Sequence, residues 1–276
     1  MRNKKAMILI LISLLGMTAE AQQSASSMSM SSGQKKTNPF HLTADLSFSS
    51  NLYKEDTPQA EQSMVLDLIP SVDLSERVSL GSRSIITQKS TQGEQRDTTL
   101  SNTQINLKIK GPDLTKNIST GTLVRGVAPT DEQDRKSTSY QGSAGLAGQL
   151  AFTKGMTSLK YTLLGQRNFH GYTVDAEESP NVRQTLTNDL ALELQVTKNF
   201  LISTSGFYKQ GWTYRDFSRQ TFGYSAGIGY AVADTWSIGA SVETEGQAFK
   251  PNGTDSNIKF YDENTSVIKA SVTFTN

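Results

Sequence analysis

Residues 222–232 read FGYSAGIGYAV, in which every second residue is apolar and the residues between them are small. Successive side chains of a β-strand point to opposite faces, so a period of two predicts a strand with one apolar face and one small or polar face. Residues 186–196, 236–243 and 268–274 show the same alternation. We therefore predict an all-β protein.

Extending the pattern outward from this stretch gives twelve candidate strands, most of them 11–14 residues long. Strands of globular proteins usually have about 5–6 residues, whereas a tilted strand that crosses a membrane needs about 9–11. The length therefore favours membrane-spanning strands. The candidates lie near residues 40–52, 63–74, 78–88, 99–110, 118–128, 139–152, 158–170, 185–196, 200–213, 220–232, 236–249 and 265–275.

The connections between these strands alternate in length. Short turns are expected at 75–77, 111–117, 153–157, 197–199 and 233–235. Mostly longer and more charged loops are expected at 53–62, 89–98, 129–138, 171–184, 214–219 and 250–264. Turns at one end and loops at the other, with an even number of strands, are typical of outer-membrane barrels. We predict a transmembrane antiparallel up-and-down β-barrel of about twelve strands, with its turns on the periplasmic side.

The composition excludes several other classes. There is no cysteine, so neither a disulfide framework nor a thiolate metal site is expected. The formal net charge is +1, from 27 basic and 26 acidic residues, which gives no nucleic-acid footprint. Hydrophobic residues make up only 36% of the chain, too few for a helical membrane protein but compatible with a barrel that is polar inside.

The N-terminus has the features of an export signal. Arg2, Lys4 and Lys5 precede an apolar run over residues 6–17, and the triplet Ala-Glu-Ala follows at 19–21. The apolar run is shorter than the roughly 20 residues that a spanning helix needs. We predict a cleaved signal peptide at 1–21, a flexible Ser-, Met- and Gln-rich spacer at 22–38, and the barrel at 39–276.

The last strand carries a resemblance to a known class. Ile268, Ala270, Val272 and Phe274 resemble the C-terminal assembly signal of bacterial outer-membrane β-barrel, porin-like proteins, from which this chain departs because Thr275 and Asn276 follow the aromatic residue. The resemblance implies outer-membrane localisation. It also implies the outer-membrane lipid, the assembly machinery and small solutes as partners.

Two groups of side chains are candidate functional residues: those that line the pore and those that lie at the membrane interfaces. If the less apolar face of each strand points inward, the charged residues on that face line the pore. These are Asp45, Asp67, Arg83, Lys108, Arg125, Lys160, Glu193, Lys209, Glu243, Glu245 and Lys269. Aromatic residues near the strand ends are expected at the two membrane interfaces. These are Phe152, Phe200, Tyr208, Trp212, Tyr214, Phe222, Tyr224, Tyr230, Trp236 and Phe274.

The function that follows is a narrow pore that lets small solutes diffuse passively. A non-conducting barrel whose outer loops bind a partner is the first alternative, and an outer-membrane hydrolase is a further one. His170 lies near Asp175, Glu177 and Glu178, but no recognisable nucleophile motif accompanies it, so we predict no enzyme. No cofactor or metal site is predicted.

Overall fold

The computed structural model describes residues 38–53, 60–91, 97–249, 255–262 and 265–276, with Thr91 described in its backbone only. The predicted signal peptide and all of the predicted spacer except Asn38 lie outside the described residues. None of the described residues belongs to a helix with the length and apolar character that a membrane crossing requires.

The described residues form one antiparallel sheet that closes on itself, so the predicted barrel is confirmed. With one exception, each strand pairs with the next along the chain, and the first strand pairs with the last. The strands are β1 (Phe40–Asn51), β2 (Glu61–Asp73), β3 (Val78–Thr91), β4 (Asp97–Leu100), β5 (Thr103–Thr115), β6 (Ile118–Ala128), β7 (Tyr140–Lys154), β8 (Thr157–His170), β9 (Val182–Gln195), β10 (Phe200–Thr213), β11 (Ser218–Ala233), β12 (Trp236–Gln247) and β13 (Ser266–Thr275).

The thirteen strand segments form a barrel with twelve strand positions, because β4 and β5 pair with successive parts of β3 and together occupy one position. Only Ser101 and Asn102 separate them, and Ser101 continues the ladder through hydrogen bonds with the backbone of Ile85. The interruption has a local cause. The amide of Asn102 leaves the sheet, donates to the carboxylate of Asp134 at 2.6 Å and accepts from the backbone N–H of Asp131 at 3.1 Å.

The two ends of the barrel differ as predicted. At one end, here called the turn end, two- or four-residue turns join β2 to β3, β5 to β6, β7 to β8, β9 to β10 and β11 to β12. Both β1 and β13 reach this end, where the side chain of Asn276 accepts a hydrogen bond from the backbone N–H of Leu42 at 2.7 Å. The connections at the opposite, loop end are mostly longer, and several predicted bounds shift there. The strands β2, β9 and β11 begin two or three residues earlier than predicted, β3 ends three residues later and β12 ends two residues earlier. At the turn end, β5 extends to Thr115, so the predicted turn 111–117 shortens to two residues.

One loop contains a helix that the alternation pattern did not predict, α1 (Glu132–Thr138). The side chain of Asp131 accepts from the backbone N–H of Asp134 and so caps its first turn. Acidic residues lie in that first turn and Arg135 and Lys136 in the last, which suits the helix dipole. Ser139 ends the helix in the left-handed conformation, with a φ of 55°. The loop 129–138 is therefore a capped, ordered element.

The two faces of each strand differ in exposure and in chemistry. On β1, Asp45 and Ser47 are buried, whereas Phe48 on the other face is 53% exposed. Because alternate side chains of a closed barrel point into it or away from it, the buried polar face is the inner one. The exposed face carries most of the leucine, isoleucine and aromatic side chains. A chain of low hydrophobic content thus presents an apolar outer surface.

Candidate functional site

The eleven charged side chains predicted to line the interior all lie on the less exposed faces of their strands. Six are buried: Asp45, Asp67, Arg83, Arg125, Lys160 and Lys269. Five are half-buried: Lys108, Glu193, Lys209, Glu243 and Glu245. Lys108 of this second group lies on β5 and the other four lie on β9, β10 and β12, so the half-buried charges are concentrated on the side of β9 to β12.

Arg83 and Asp67 form a buried ion pair. Nε of Arg83 donates to both carboxylate oxygens of Asp67, at 3.1 and 2.9 Å, and its Nη2 donates to Oδ2 at 2.6 Å. Each side chain is only 9% exposed. A buried charge is tolerated when it is paired and hydrogen-bonded, as both are here.

Next to this pair the interior is packed. Arg125 is 1% exposed, and its Nε donates to Oδ1 of Asn106 at 3.0 Å. Leu123 has no exposed surface and packs with Ala147 and Leu164 in an apolar cluster on the inner faces of β6, β7 and β8. Side chains therefore close this part of the cross-section to water.

The wall formed by β1, β12 and β13 holds a second polar group. The hydroxyl of Thr273 donates to Oδ2 of Asp45 at 2.6 Å. Lys269 Nζ lies 3.8 Å from Oε1 of Glu243, and the hydroxyl of Ser241 donates to the same oxygen at 3.4 Å. These longer contacts, together with the 20% exposure of the Glu243 side chain, indicate a looser and wetter arrangement than that around Arg83.

The inner charges are segregated by strand. Those on β3, β5, β6 and β8 are all basic: Arg83, Lys108, Arg125 and Lys160. The acidic members of the set, Asp45, Asp67, Glu193, Glu243 and Glu245, lie on β1, β2, β9 and β12, together with Lys209 on β10 and Lys269 on β13. The charge of Lys108 interacts with those of Lys160, Arg125 and Arg83. The interior thus has a basic half and a mainly acidic half.

Sequence reasoning missed one member of the acidic half, Asp189. This residue pairs with Thr162 on β8, and Glu193 pairs with Ser158, so the two carboxylates flank Lys160 diagonally. Both interact electrostatically with Lys160. The sequence did contain the information, because Asp189 lies four residues before Glu193 and so shares its face of β9. The strand register, which the sequence does not show, is needed to place both carboxylates beside Lys160.

The predicted interface aromatics fall at both ends of the barrel. At the turn end, the rings of Trp236 and Phe274 are 5.1 Å apart, and Phe200 pairs with Tyr230 across β10 and β11. Phe152 lies near the turn-end terminus of β7, and Tyr208, Trp212, Tyr214, Phe222 and Tyr224 lie toward the loop end. Phe222 is only 6% exposed, so the protein itself covers this ring.

Both histidines have structural partners. Nε2 of His41 lies 3.1 Å from Oδ2 of Asp73 at the turn end. His170 packs edge-on between the rings of Tyr140 and Tyr214, with centroids 5.6 and 5.7 Å away. The carboxylate of Asp175, the nearest predicted partner in sequence, accepts instead from backbone N–H groups of its own loop, at 2.9 and 2.8 Å. This geometry gives His170 a packing role at the rim.

Comparison with known proteins gives a family match and a fold match. The model of a family described as "Putative MetA-pathway of phenol degradation" matches residues 25–253. No curated protein matches this chain in sequence.

Two solved structures share the fold. An outer membrane channel from Pseudomonas putida F1 is 10% identical and superposes with a TM-score of 0.59, covering 86% of this chain and 95% of its own. The NanC porin is 7% identical and superposes with a TM-score of 0.53, covering 84% of this chain and 98% of its own. At these identities the likeness concerns the fold alone.

Proposed function

This chain belongs to the family described as a putative MetA pathway of phenol degradation, and we propose that it is an outer-membrane channel through which small solutes diffuse passively. In this proposal residues 1–21 are removed on export and the apolar outer face contacts the outer-membrane lipid. The assembly machinery of that membrane inserts the barrel.

One observation carries the proposal: the barrel encloses a polar interior whose basic and acidic side chains lie on different strands. A closed barrel of about eight strands is just filled by side chains, and one of 16–18 strands holds a wide aqueous channel. Twelve strand positions fall between these limits. The half-buried Lys209, Glu243 and Glu245 mark the side on which water reaches the interior.

Small side chains make room on this side. Ser203 and Ser205 on β10 pair with Gly227 and Ser225 on β11, and Gly229 pairs with Gly239 on β12. A solute passing along these strands would have basic groups across the interior and acidic groups beside it. The electric field between these groups would orient dipolar molecules. It would select little by net charge, because the eleven predicted side chains comprise six basic and five acidic groups and Asp189 adds a sixth acidic one. Because the family description names phenol degradation, small polar aromatic molecules are the first solutes to test.

The packed sector around Leu123 and Arg125 supports a second candidate, a non-conducting barrel that acts through its loops. Leu123 and Arg125 are 0% and 1% exposed, so part of the cross-section holds no continuous water. The two candidates differ in whether the opposite side of the interior forms an open path.

Single-channel recording in a planar lipid bilayer distinguishes them. We expect the purified barrel to show small discrete conductance steps. Phe207, buried on the inner face of β10, is the bulkiest side chain beside the small residues of β10 and β11, so Phe207→Ala should raise the conductance. Phe48→Ala removes a ring of the same size from the outer face of β1 and is the matched control, with unchanged conductance expected.

Two results would contradict the channel. The first is an inserted wild-type barrel without conductance steps. The second is an equal effect of both substitutions, since this would separate conductance from the inner face. Fractionation with the outer membrane, together with heat-dependent mobility on a denaturing gel, checks the localisation independently.

A further inference from the structure

The outer face of the barrel carries a depression centred on Gly206. Across β8 to β11, residues of this face pair in a row: Tyr161 with Leu190, Leu190 with Gly206, and Gly206 with Tyr224. A Cβ at Gly206 would meet only the carbonyl oxygen of Gly223, at 3.5 Å, so the missing side chain leaves open space. The depression has a volume of about 280 Å³. We call it the Gly206 groove.

The walls of the Gly206 groove are largely aromatic. Leu190 lines it on β9, and the aromatic residues that line it include Tyr208, Phe222, Tyr224 and Phe260. Asn188 also lines it, and Oδ1 of this residue accepts from the hydroxyl of Tyr161 at 2.7 Å. Leu190 is 50% exposed, which places the groove on the same outer surface as the exposed leucines and isoleucines. The site therefore suits an uncharged, apolar occupant.

Residues 255–262, which lie between β12 and β13, fold onto this outer face, and Ile258 and Phe260 line the groove. The ring of Phe260 packs edge-on against Tyr224, with centroids 5.1 Å apart. The hydroxyl of Thr244 donates to the carbonyl oxygen of Phe260 at 3.1 Å. The backbone N–H of Asp262 donates to Oγ of Ser266 at 2.8 Å, and the hydroxyls of Thr244 and Ser266 lie 2.7 Å apart.

These contacts explain why two polar side chains are tolerated on an outward face. Thr244 and Ser266 are 2% and 0% exposed, although both lie in the same row as Gly206 and Tyr224. Phe260 and Asp262 shield their hydroxyls from any surrounding apolar phase and give them partners. These contacts hold residues 260–262 at the loop-end side of the groove.

Toward the turn end the groove is open and leads directly to exposed apolar side chains. The next row of the outer face includes Leu159, Leu192 and Val242, which are 37%, 39% and 37% exposed. Thr204 on β10 belongs to the same row, and its hydroxyl donates to the carbonyl oxygen of Ser225 at 3.0 Å. An apolar chain that contacts this row can therefore extend into the groove past a hydroxyl that already has a partner. The groove is thus an inlet of the lipid-facing surface.

We propose that the Gly206 groove binds one acyl chain of a membrane lipid, with the Phe260 segment over its end. This inference rests on the membrane placement given under the proposed function, though not on conduction. Continuity with the exposed leucine row favours a chain that is already part of the bilayer over a molecule arriving from water. The aromatic walls provide broad, uncharged contact surfaces that suit a methylene chain.

Filling the groove tests the proposal. Gly206→Leu places an apolar side chain in the open space. Gly126→Leu is the matched control, since a Cβ added at Gly126 on β6 would have nothing within 4 Å and so leaves room for the same side chain. The full barrel is titrated with dipalmitoyl phosphatidylethanolamine in mixed detergent micelles, and bound lipids are counted by native mass spectrometry. We expect one saturable lipid on the wild type and on Gly126→Leu, and a loss of affinity of at least tenfold in Gly206→Leu.

A second variant keeps the test decisive if Gly206→Leu fails to fold. Phe260 is 72% exposed, so Phe260→Ala should leave folding intact while weakening the same lipid. Equal lipid binding by the wild type and the folded groove variants would overturn the proposal, as would saturable binding of toluene without binding of the lipid. A barrel that inserts and conducts but retains no lipid contradicts this inference alone, whereas one that does not enter the membrane contradicts the proposed function.

Discussion

Replacing Asp67 with asparagine tests whether the interior around Arg83 is dry. The substitution keeps the shape of the side chain but removes the charge that accepts three close contacts from the guanidinium, the shortest at 2.6 Å. In a dry site, removing one partner of a buried pair costs about 3–5 kcal/mol, because the remaining charge loses its counterion. In a wetted site the same pair contributes about 0–1 kcal/mol.

The exposure of the two side chains, 9% each, places this pair close to the dry limit. We therefore expect Asp67→Asn to lower the free energy of unfolding by about 3 kcal/mol, a factor of more than 100 in the unfolding equilibrium. The double variant Asp67→Asn with Arg83→Gln removes both charges and should recover much of that loss. Guanidinium unfolding in detergent micelles, followed by tryptophan fluorescence and by gel mobility, measures both.

A cost below 1 kcal/mol for Asp67→Asn, with effects that simply add in the double variant, would refute this reasoning. Water would then screen the pair, and the packed sector of the interior would be smaller than the burial of Arg83 indicates. The measurement thus also bears on how much of the cross-section remains for a solute.

Three further outcomes are expected. Gly223→Ala would place a methyl group 2.0 Å from Cε1 of Phe207, so we expect a loss of about 1–3 kcal/mol in unfolding free energy that Phe207→Ala restores, and no loss would contradict the ring position. Lys108→Glu reverses a charge in the basic half and should shift the reversal potential in a KCl gradient toward cation selectivity; an unchanged potential would place Lys108 away from the ion path. Asp131→Ala removes the cap of α1 and should speed amide exchange over residues 132–138, whereas unchanged exchange would mean that tertiary contacts alone hold the helix.

The strands themselves were predictable from sequence because alternation reports directly on a sheet with one apolar face. The stretch at 222–232 lies within β11, and the predicted strands 118–128 and 200–213 coincide with β6 and β10. Helix α1 was missed because its stability comes from the Asp131 cap and local charges, which have no period of two. The gap between β4 and β5 was missed because it depends on Asn102 reaching the helix loop.

The interior was predictable as a set of residues but not as an arrangement. Period-two reasoning placed Arg83, Lys108, Glu243 and the other charged residues on the inner faces, whereas their separation into a basic and a mainly acidic half depends on which strands close beside one another. The Gly206 groove was out of reach for a similar reason. The open space comes from Gly206, but part of its lining comes from Ile258 and Phe260, which are distant in sequence from β9 and β10.

The ladder between β1 and β13 has a consequence for how the barrel forms. Most other ladders join consecutive strands through short or moderate connections, so each hairpin can form from a local stretch of chain. Asp45 and Thr273, in contrast, are 228 positions apart. Bringing such distant segments together costs about 2.5 kcal/mol more loop-closure entropy than joining a pair 14 positions apart, such as Ser49 and Ser63. The hairpins between consecutive strands should therefore form first. The ladder between β1 and β13 should form last, once the strands between them have brought these two edges of the sheet together.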